Sequence, residues 1–366
     1  MPKLVKLNIS GLRNLEVSTL LPSSGFNLIF GENGSGKTSL LEAIYLLGRA
    51  KTFRSASRSP ILQEGAESCV LHAQLQDGTG LGFSRNKSGE QDLRVNTSTI
   101  KNQAELVDKL PLQLINAEAF KILEGGPSIR RSFLDWGVFH VEHQFLPYWQ
   151  GMQRALANRN ALLKANSLNS QEIAPWTQEF CQLALQVHGC RESYMQRLQP
   201  YLANCLEDLL PDHKISLSYE CGWDKTQSLQ DQLATRLEQD RRYGHTGLGP
   251  HRADIKISVQ DKPAADLLSR GQQKLLVIAM KIAQAALLAA LNKEQCVFLI
   301  DDLPAELDSA NRTKVLGMLQ QSGEQVFVTG IEAETLLNSL EKREEARLFH
   351  VKHGKIRVQE STDYGA

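Results

Sequence analysis

Residues 31–38 read Gly31-Glu32-Asn33-Gly34-Ser35-Gly36-Lys37-Thr38, a complete P-loop of Gly, four residues, Gly, Lys and Thr. The apolar run Phe26-Asn27-Leu28-Ile29-Phe30 precedes it, and a stretch through Ile44 and Leu47 with helical spacing follows. This is the strand, loop and helix order that the motif requires. The glycines let several backbone N–H groups turn inward, where they join the helix N-terminus in cradling phosphate oxygens. Lys37 is expected to reach the β- and γ-phosphates, and the Thr38 hydroxyl to ligate Mg2+. With both flanks in place, a Gly-rich turn carrying an incidental lysine is the weaker reading. The stretch predicts a nucleotide-binding α/β fold.

Working outward, 366 residues suffice for two compact units, or for one large domain with an insertion. A hydrophobic content of 42% and a charged fraction of 22% are ordinary for a soluble globular chain, and zero net charge gives no compositional pointer to nucleic acid. The charge is unevenly spread: residues 1–60 hold eight Lys and Arg against three acids, so a local basic face competes with a merely solvated one. Six scattered cysteines without a CxxC pair read as free thiols in a reducing compartment, not as disulfides or a zinc site. Residues 1–10 lack the apolar core of a signal peptide, and the longest apolar region, 275–291, is broken by Lys281 and Gln284. The expectation is a cytoplasmic protein with no membrane partner.

Strand alternation appears at 3–9, around 15–20, at 70–76, 79–84 and 112–116, with a helix over 128–139. From about 140 to 245 the pattern changes. Trp176, Phe180, Leu183, Val187, Cys190, Tyr194, Leu198, Tyr201, Cys205 and Leu209 recur about once per helical turn, and Phe145 to Leu163 carry a similar stripe. These predict a helical hairpin with a polar turn over 164–175, a kink or break at Pro200 and an end at Pro211. Helices of about 20–35 residues are roughly 30–50 Å long, a short arm. Helices of an ordinary packed second domain fit the same spacing. After 246, strands at 253–259, 296–300 and 325–329 alternate with helices at 270–291 and 309–320, the signature of a parallel sheet. The expected division is 1–139, 140–245 and 246–366.

Cys296-Val297-Phe298-Leu299-Ile300 is an apolar strand ending in Asp301-Asp302. In P-loop proteins the first carboxylate at such a strand end holds Mg2+, which assigns Asp301 to the metal. Asp302 is then the candidate to orient or deprotonate the attacking water. About 27 residues upstream, Leu268-Ser269-Arg270-Gly271-Gln272 opens a long apolar helix. Ser269 would serve as a plain N-cap in any protein; its place just before the Asp-Asp strand favours a phosphate contact by Ser269, Arg270, Gly271 and Gln272.

Together these elements resemble the ABC-type ATPase head of the SMC/Rad50/RecF group, with LSRGQ in the place of the signature motif. Within the group the chain is most similar to the RecF family, on three counts. Only about 230 residues separate the P-loop from the signature, far fewer than an SMC or Rad50 arm needs. Gly126-Pro127-Ser128-Ile129-Arg130-Arg131-Ser132-Phe133-Leu134-Asp135 and Gly249-Pro250-His251-Arg252-Ala253-Asp254 match segments of that family, and Glu306-Leu307-Asp308 matches its loop after the Asp-Asp strand. Gly11-Leu12-Arg13-Asn14 and Lys51-Thr52-Phe53-Arg54 are also similar.

The resemblance implies an ABC-type head, a mixed sheet with helices and N-terminal antiparallel strands, carrying an inserted mainly helical arm. It implies ATP and Mg2+ as cofactors, and two ATP molecules sandwiched in a head-to-head homodimer, with the signature and Asp308 of one copy completing the site of the other. It further implies weak, DNA-stimulated ATPase activity and binding of double-stranded DNA or duplex–single-strand junctions. The role implied is recombinational gap repair, acting with RecR and RecO to load RecA, in the cytoplasm at the nucleoid. Asp302 stands where the general ABC pattern has Glu, which fits slow hydrolysis. Thr329 occupies the switch-histidine position of transporters. The Q-loop residue stays open among Gln113, Asn116 and Glu118. Lys51, Arg54 and Arg58 are the candidates for DNA phosphates, with solvated surface as the alternative for each. Arg130 and Arg131 are structural or functional, and His251 and Arg252 contact nucleotide or only form a turn. No base-reading motif is present, so DNA contact would be made through backbone and shape. An SMC- or Rad50-like chromosome tether and an ABC transporter subunit remain as alternatives, opposed respectively by the short arm and by the RecF-like segments with no switch histidine.

Overall fold

The computed structural model describes residues 3–54, 61–165 and 170–359. In chain order, β1 (Leu4–Ser10) and β2 (Ser18–Leu20) lead to β3 (Phe26–Phe30), the P-loop and α1 (Lys37–Arg49). Then come β4 (Ser68–Leu75), β5 (Gly80–Asn86), β6 (Gln91–Val95), β7 (Ser98–Ile100), α2 (Gln103–Lys109) and β8 (Leu112–Ile115). The middle of the chain forms α3 (Lys121–Glu124), α4 (Pro127–Val141), α5 (Phe145–Leu163), α6 (Ser170–Leu209), β9 (Ile215–Glu220), α7 (Leu229–Thr235) and α8 (Leu237–Tyr243). It closes with β10 (Asp254–Val259), β11 (Lys262–Pro263) and α9 (Ala264–Leu267). The last third holds α10 (Arg270–Asn292), β12 (Val297–Ile300), α11 (Leu303–Glu306), α12 (Ser309–Gln321), β13 (Gln325–Gly330), α13 (Ala333–Leu337), β14 (Arg347–Lys352) and β15 (Lys355–Gln359).

These elements fall into two compact units. One comprises residues 1–120, 207–210 and 270–366; the other comprises 121–206 and 211–269. The boundaries thus lie at 120 and 269, not at 139 and 245. The helix over 127–141 belongs to the inserted unit because Arg130 and Arg131 tie it to β10 and the residue before it, a long-range pairing that periodicity does not report.

The first unit is two sheets with α1 between them. An antiparallel sheet has the order β2-β1-β4-β5-β6-β7, and a second has the order β15-β14-β3-β13-β12-β8, parallel throughout except for β15. β3, β12 and β13 are buried along their whole length, which is why they are largely apolar, with Asn27, Gln325 and Thr329 the buried polar exceptions. α1 touches β4 and β5 on one side and β13 on the other. Its Leu40, Leu41, Ile44, Leu46 and Leu47 join Leu7, Leu71, Phe83, Leu299 and Phe327 in one continuous core. P-loop helix and both sheets therefore share a single packed interior. α10 is long and apolar enough to cross a membrane, but it is a core helix, with 67% of that stretch buried.

The second unit holds the helical hairpin and a three-stranded antiparallel sheet, order β11-β10-β9. α6 is one continuous helix of 40 residues, roughly 60 Å at 1.5 Å per residue, longer than its sequence suggests. It begins at Ser170, inside the expected turn, and runs straight through Pro200. Pro200 is exposed between the buried Leu198 and Leu202, so the carbonyl it leaves unbonded faces water while the apolar stripe stays packed. Helix α6 does end just before Pro211. The hairpin packs within its own unit. Arg159 of α5, fully buried, donates to Asp240 at 3.0 Å and Thr246 at 2.6 Å, and a Cβ on Gly151 would lie 2.9 Å from Leu183 of α6.

Candidate nucleotide-binding site

The C-terminal ends of four parallel strands build the site. β3 runs into the P-loop, β12 into Asp301 and Asp302, β13 ends at Thr329 and Gly330, and β8 is followed by Asn116. Ligands of open α/β sheets bind at such carboxyl ends. Here they open into a cleft of about 490 Å3 lined by P-loop residues, Asp301, Asp302 and Thr329, and also by Arg13, Asn14, Arg54 and Leu62.

Each P-loop residue has a local reason for its place. Gly31 has φ 145°, and a Cβ there would stand 2.1 Å from the Val351 carbonyl oxygen, so only glycine fits against β14. Gly36 caps α1 without a side-chain hydrogen bond, leaving first-turn N–H groups for an anion. Lys37 is buried, and its ammonium donates to the carbonyls of Gly31 at 2.7 Å and Glu32 at 3.0 Å. Burial pushes its pKa down, against Asp302 and Asp301, which pull it back up. Asn14 braces the loop from outside by donating to the Gly34 carbonyl at 3.1 Å, and Ser39 of α1 donates to its Oδ1 at 3.0 Å.

Opposite the loop, the Thr38 hydroxyl donates to Asp301 Oδ1 at 3.0 Å, and Thr329 donates to the same oxygen at 2.9 Å. Burial raises the Asp301 pKa; the two threonine hydroxyls and Arg54 lower it, and Asp302 raises it again. Hydroxyl and carboxylate are hard oxygen donors, and no cluster of three metal-ligating side chains occurs among the described residues. That set suits Mg2+, which takes one or two protein oxygens and completes its shell with water and substrate phosphates. Asp302 adopts a left-handed backbone, φ 53° and ψ 47°, which costs a non-glycine residue about 1 kcal/mol. The Thr329 hydroxyl accepts its N–H at 2.7 Å and holds it there. One threonine thus orients both acids. The sequence singles out Thr329 by position alone; its buried hydroxyl at the strand end is what reaches both acids.

The remaining candidates separate. Ser269, Arg270 and Gly271 are exposed at the start of α10, and Arg270, Gly271 and Gln272 do not line the cleft. Lys274, one turn on, forms an ion pair with Glu306 at 2.6 Å, joining the signature helix to the loop that carries Asp308. Asp308 is exposed and caps α12, accepting from the Asn311 N–H at 2.9 Å. Gln113 is buried in β8 and bonded to Gln284 and Lys281 of α10, whereas Asn116 lies at the strand end, next to the Ile115 carbonyl that accepts from the Asp301 N–H. Arg54 lines the nucleotide cleft, Lys51 is exposed after α1, and Arg58 lies outside the described residues. Of the two family-like segments in the second unit, Arg130 pairs doubly with Asp254 at 2.6 and 2.8 Å, and Asp135 pairs doubly with Arg191 at 2.8 and 2.9 Å. His251 is bonded to the Thr246 carbonyl, and burial pushes its pKa down to about 4. These segments lock their own unit together.

The family model for the RecF/RecN/SMC N terminal domain matches residues 3–357. A DNA replication and repair protein RecF from Stutzerimonas stutzeri (strain A1501) is 45% identical over 357 residues, covering 96% of each chain. Its counterpart from Pseudomonas aeruginosa (strain LESB58) is 43% identical, over 96% of this chain and 97% of the relative. Among solved structures, the recombination mediator protein RecF-ATP in the RecFOR pathway superposes with a TM-score of 0.86 at 24% identity, covering 98% and 97% of the two chains. A Smc head domain with an extended coiled coil, from Pyrococcus furiosus, gives a TM-score of 0.62 at 17% identity, with 100% and 98% covered.

Proposed function

This chain belongs to the RecF family of DNA replication and repair proteins, within the ABC/SMC-type ATPases, and on that premise we propose that it is an ATP-gated, DNA-binding homodimer. One observation carries the reading. The cleft holds the phosphate cradle and both acids, while the signature residues Arg270 and Gly271 stand exposed and, with the half-buried Gln272, outside its lining. A cleft whose cradle is not covered by the signature helix of its own chain fits completion by a second copy, in which each signature helix closes over the other's nucleotide. Ser269 and the α10 N-terminus would then face the phosphates from across the interface, with Asp308 nearby.

Within the cleft, Lys37 and the P-loop N–H groups bind and orient the phosphates of ATP, and Thr38 and Asp301 would hold Mg2+. The ion, when bound, supplies charge neutralisation on the phosphate oxygens. Asp302, fixed by Thr329, is the group positioned to orient the attacking water and hold its proton. Hydrolysis dissolves the dimer and releases DNA. The DNA partner is a duplex or a duplex–single-strand junction, contacted through its backbone by residues such as Lys51, with Arg54 serving the nucleotide side. The reading includes action with RecR and RecO in loading RecA, in the cytoplasm, the role that the family resemblance implies.

Sedimentation with and without ATP tests the reading. Wild type should dimerise with ATP; Lys37→Ala should neither bind ATP nor dimerise; Ser269→Arg should bind ATP and stay monomeric. An ATPase rate per chain that is indifferent to protein concentration refutes it.

A further inference from the structure

We propose that Glu42 is a positioning residue of the nucleotide cleft, holding Arg13 and the Thr52–Arg54 turn in the places from which they line it. The inference rests on the nucleotide reading above and assigns a role to a residue outside the P-loop motif.

Glu42 lies one turn beyond Thr38 on α1 and is 0% exposed, on a helix whose leucines belong to the main core. A carboxylate there is costly unless it is fully paired. Its partners account for it. Arg13 donates through Nε at 2.8 Å to Oε2 and through Nη2 at 2.9 Å to Oε1, a fork that fixes the guanidinium plane. The Thr52 hydroxyl donates to Oε1 as well.

Both partners lead back to the cleft. Arg13 has φ 50°, a conformation that side-chain-bearing residues seldom hold without support, and it is followed by Asn14, which bonds the P-loop carbonyl of Gly34. The grip on Arg13 therefore anchors the brace on the phosphate cradle. On the other branch, the Thr52 hydroxyl accepts the Arg54 N–H at 3.1 Å, and Arg54 lines the cleft with Arg13, on the side of Asp301. One buried carboxylate thus sets two cations at the rim of a site for a polyanion. A purely structural ion pair would explain the burial, but it gives no reason for both branches to end at the same cleft.

A fluorescent ATP analogue titrated into the full chain tests this, with Glu42→Gln, Arg13→Gln, the double variant and Thr52→Val compared by thermal melting. Lys37→Ala serves as the non-binding reference. Glu42→Gln and Arg13→Gln should each weaken binding about tenfold, the scale of one charge-assisted hydrogen bond, and the double variant should be no weaker than the worse single one. Thr52→Val should stay folded, melting a few degrees below wild type, and bind about threefold more weakly. Wild-type affinity in Glu42→Gln, or effects that multiply in the double variant, overturns the proposal. Should Glu42→Gln fail to fold, Thr52→Val decides, and an unchanged affinity there overturns it. Wild type that binds no ATP would overturn the function reading itself, and this proposal with it.

Discussion

Replacing Thr329 by valine tests the claim that one hydroxyl orients both acids. Thr329 is fully buried, and valine fills nearly the same volume, so the change deletes two hydrogen bonds without opening a cavity. The lost donor served Asp301 Oδ1 at 2.9 Å; the lost acceptor held the Asp302 N–H at 2.7 Å. A hydrogen bond to a charged group contributes about 1.5–3 kcal/mol, and an N–H left unpaired away from water costs about 1–3 kcal/mol. Because the two share one oxygen and Asp302 can relax from its left-handed backbone, the expected destabilisation is about 2–4 kcal/mol. Burial already raises the Asp301 pKa, with the Thr329 and Thr38 hydroxyls acting against it. Removing one hydroxyl raises the pKa further, and only the ionised carboxylate can hold Mg2+. The acid limb of the ATPase pH profile should therefore move to higher pH. Urea unfolding of the nucleotide-free chain measures the first effect and steady-state ATPase the second, with Thr329→Ser expected near wild type in both. A Thr329→Val protein with the wild-type urea midpoint and acid limb would refute the reasoning.

Glu324, only 3% exposed, has its pKa raised from 4.5 to about 8, chiefly by burial, with the Cys296 N–H and Lys3 opposing. The native chain keeps a proton that the unfolded chain has lost, so this stabilisation is complete below pH 4.5 and is lost as pH rises to about 8. At 1.36 kcal/mol per pH unit the loss reaches about 5 kcal/mol; Glu324→Gln should flatten the decline and be the more stable protein at pH 8, as urea midpoints between pH 6 and 8 would show. Parallel declines in both proteins would count against it. Gly354 in the β14–β15 turn has φ 81°, donates to the P-loop Ser35 carbonyl at 2.9 Å, and leaves a Cβ only 1.9 Å from the Asn14 carbonyl oxygen. Gly354→Ala should shift the turn, cost about 1–3 kcal/mol and weaken ATP binding several-fold in a nucleotide titration. Asp302→Asn should leave ATP-dependent dimers that persist in sedimentation; dimers that decay at the wild-type rate would remove Asp302 from the hydrolytic step.

Much of the site was legible because its chemistry is local. The P-loop needs glycines at fixed spacing within one turn, and Asp301 needs only to end an apolar strand. The β14–β15 hairpin went unread, although alternation on both sides of His353-Gly354 was a usable signal: both residues have positive φ, as a two-residue hairpin turn demands. The sequence makes Arg54 a candidate for DNA phosphates or a solvated surface residue, whereas in the structure it lines the candidate nucleotide cleft. The reason is the Thr52 hydroxyl bonded to Glu42, a link between a loop and a helix interior that no spacing encodes.

Sequence by itself determined the fold class and the family and singled out the candidate phosphate cradle and acid pair, since each depends on residues within a few positions of one another or on motifs in a fixed order. Only the tertiary structure decided which residues support them. Asp254 meets Arg130 across 124 positions, and Thr38 meets Asp301 across 263. It also carried α6 through Pro200, because packing of a long apolar stripe outweighs one missing backbone hydrogen bond on a face open to water. Local rules act through backbone geometry over a turn or two. Partner choice acts through burial, where an unpaired charge is too costly to leave, and burial is a property of the assembled chain.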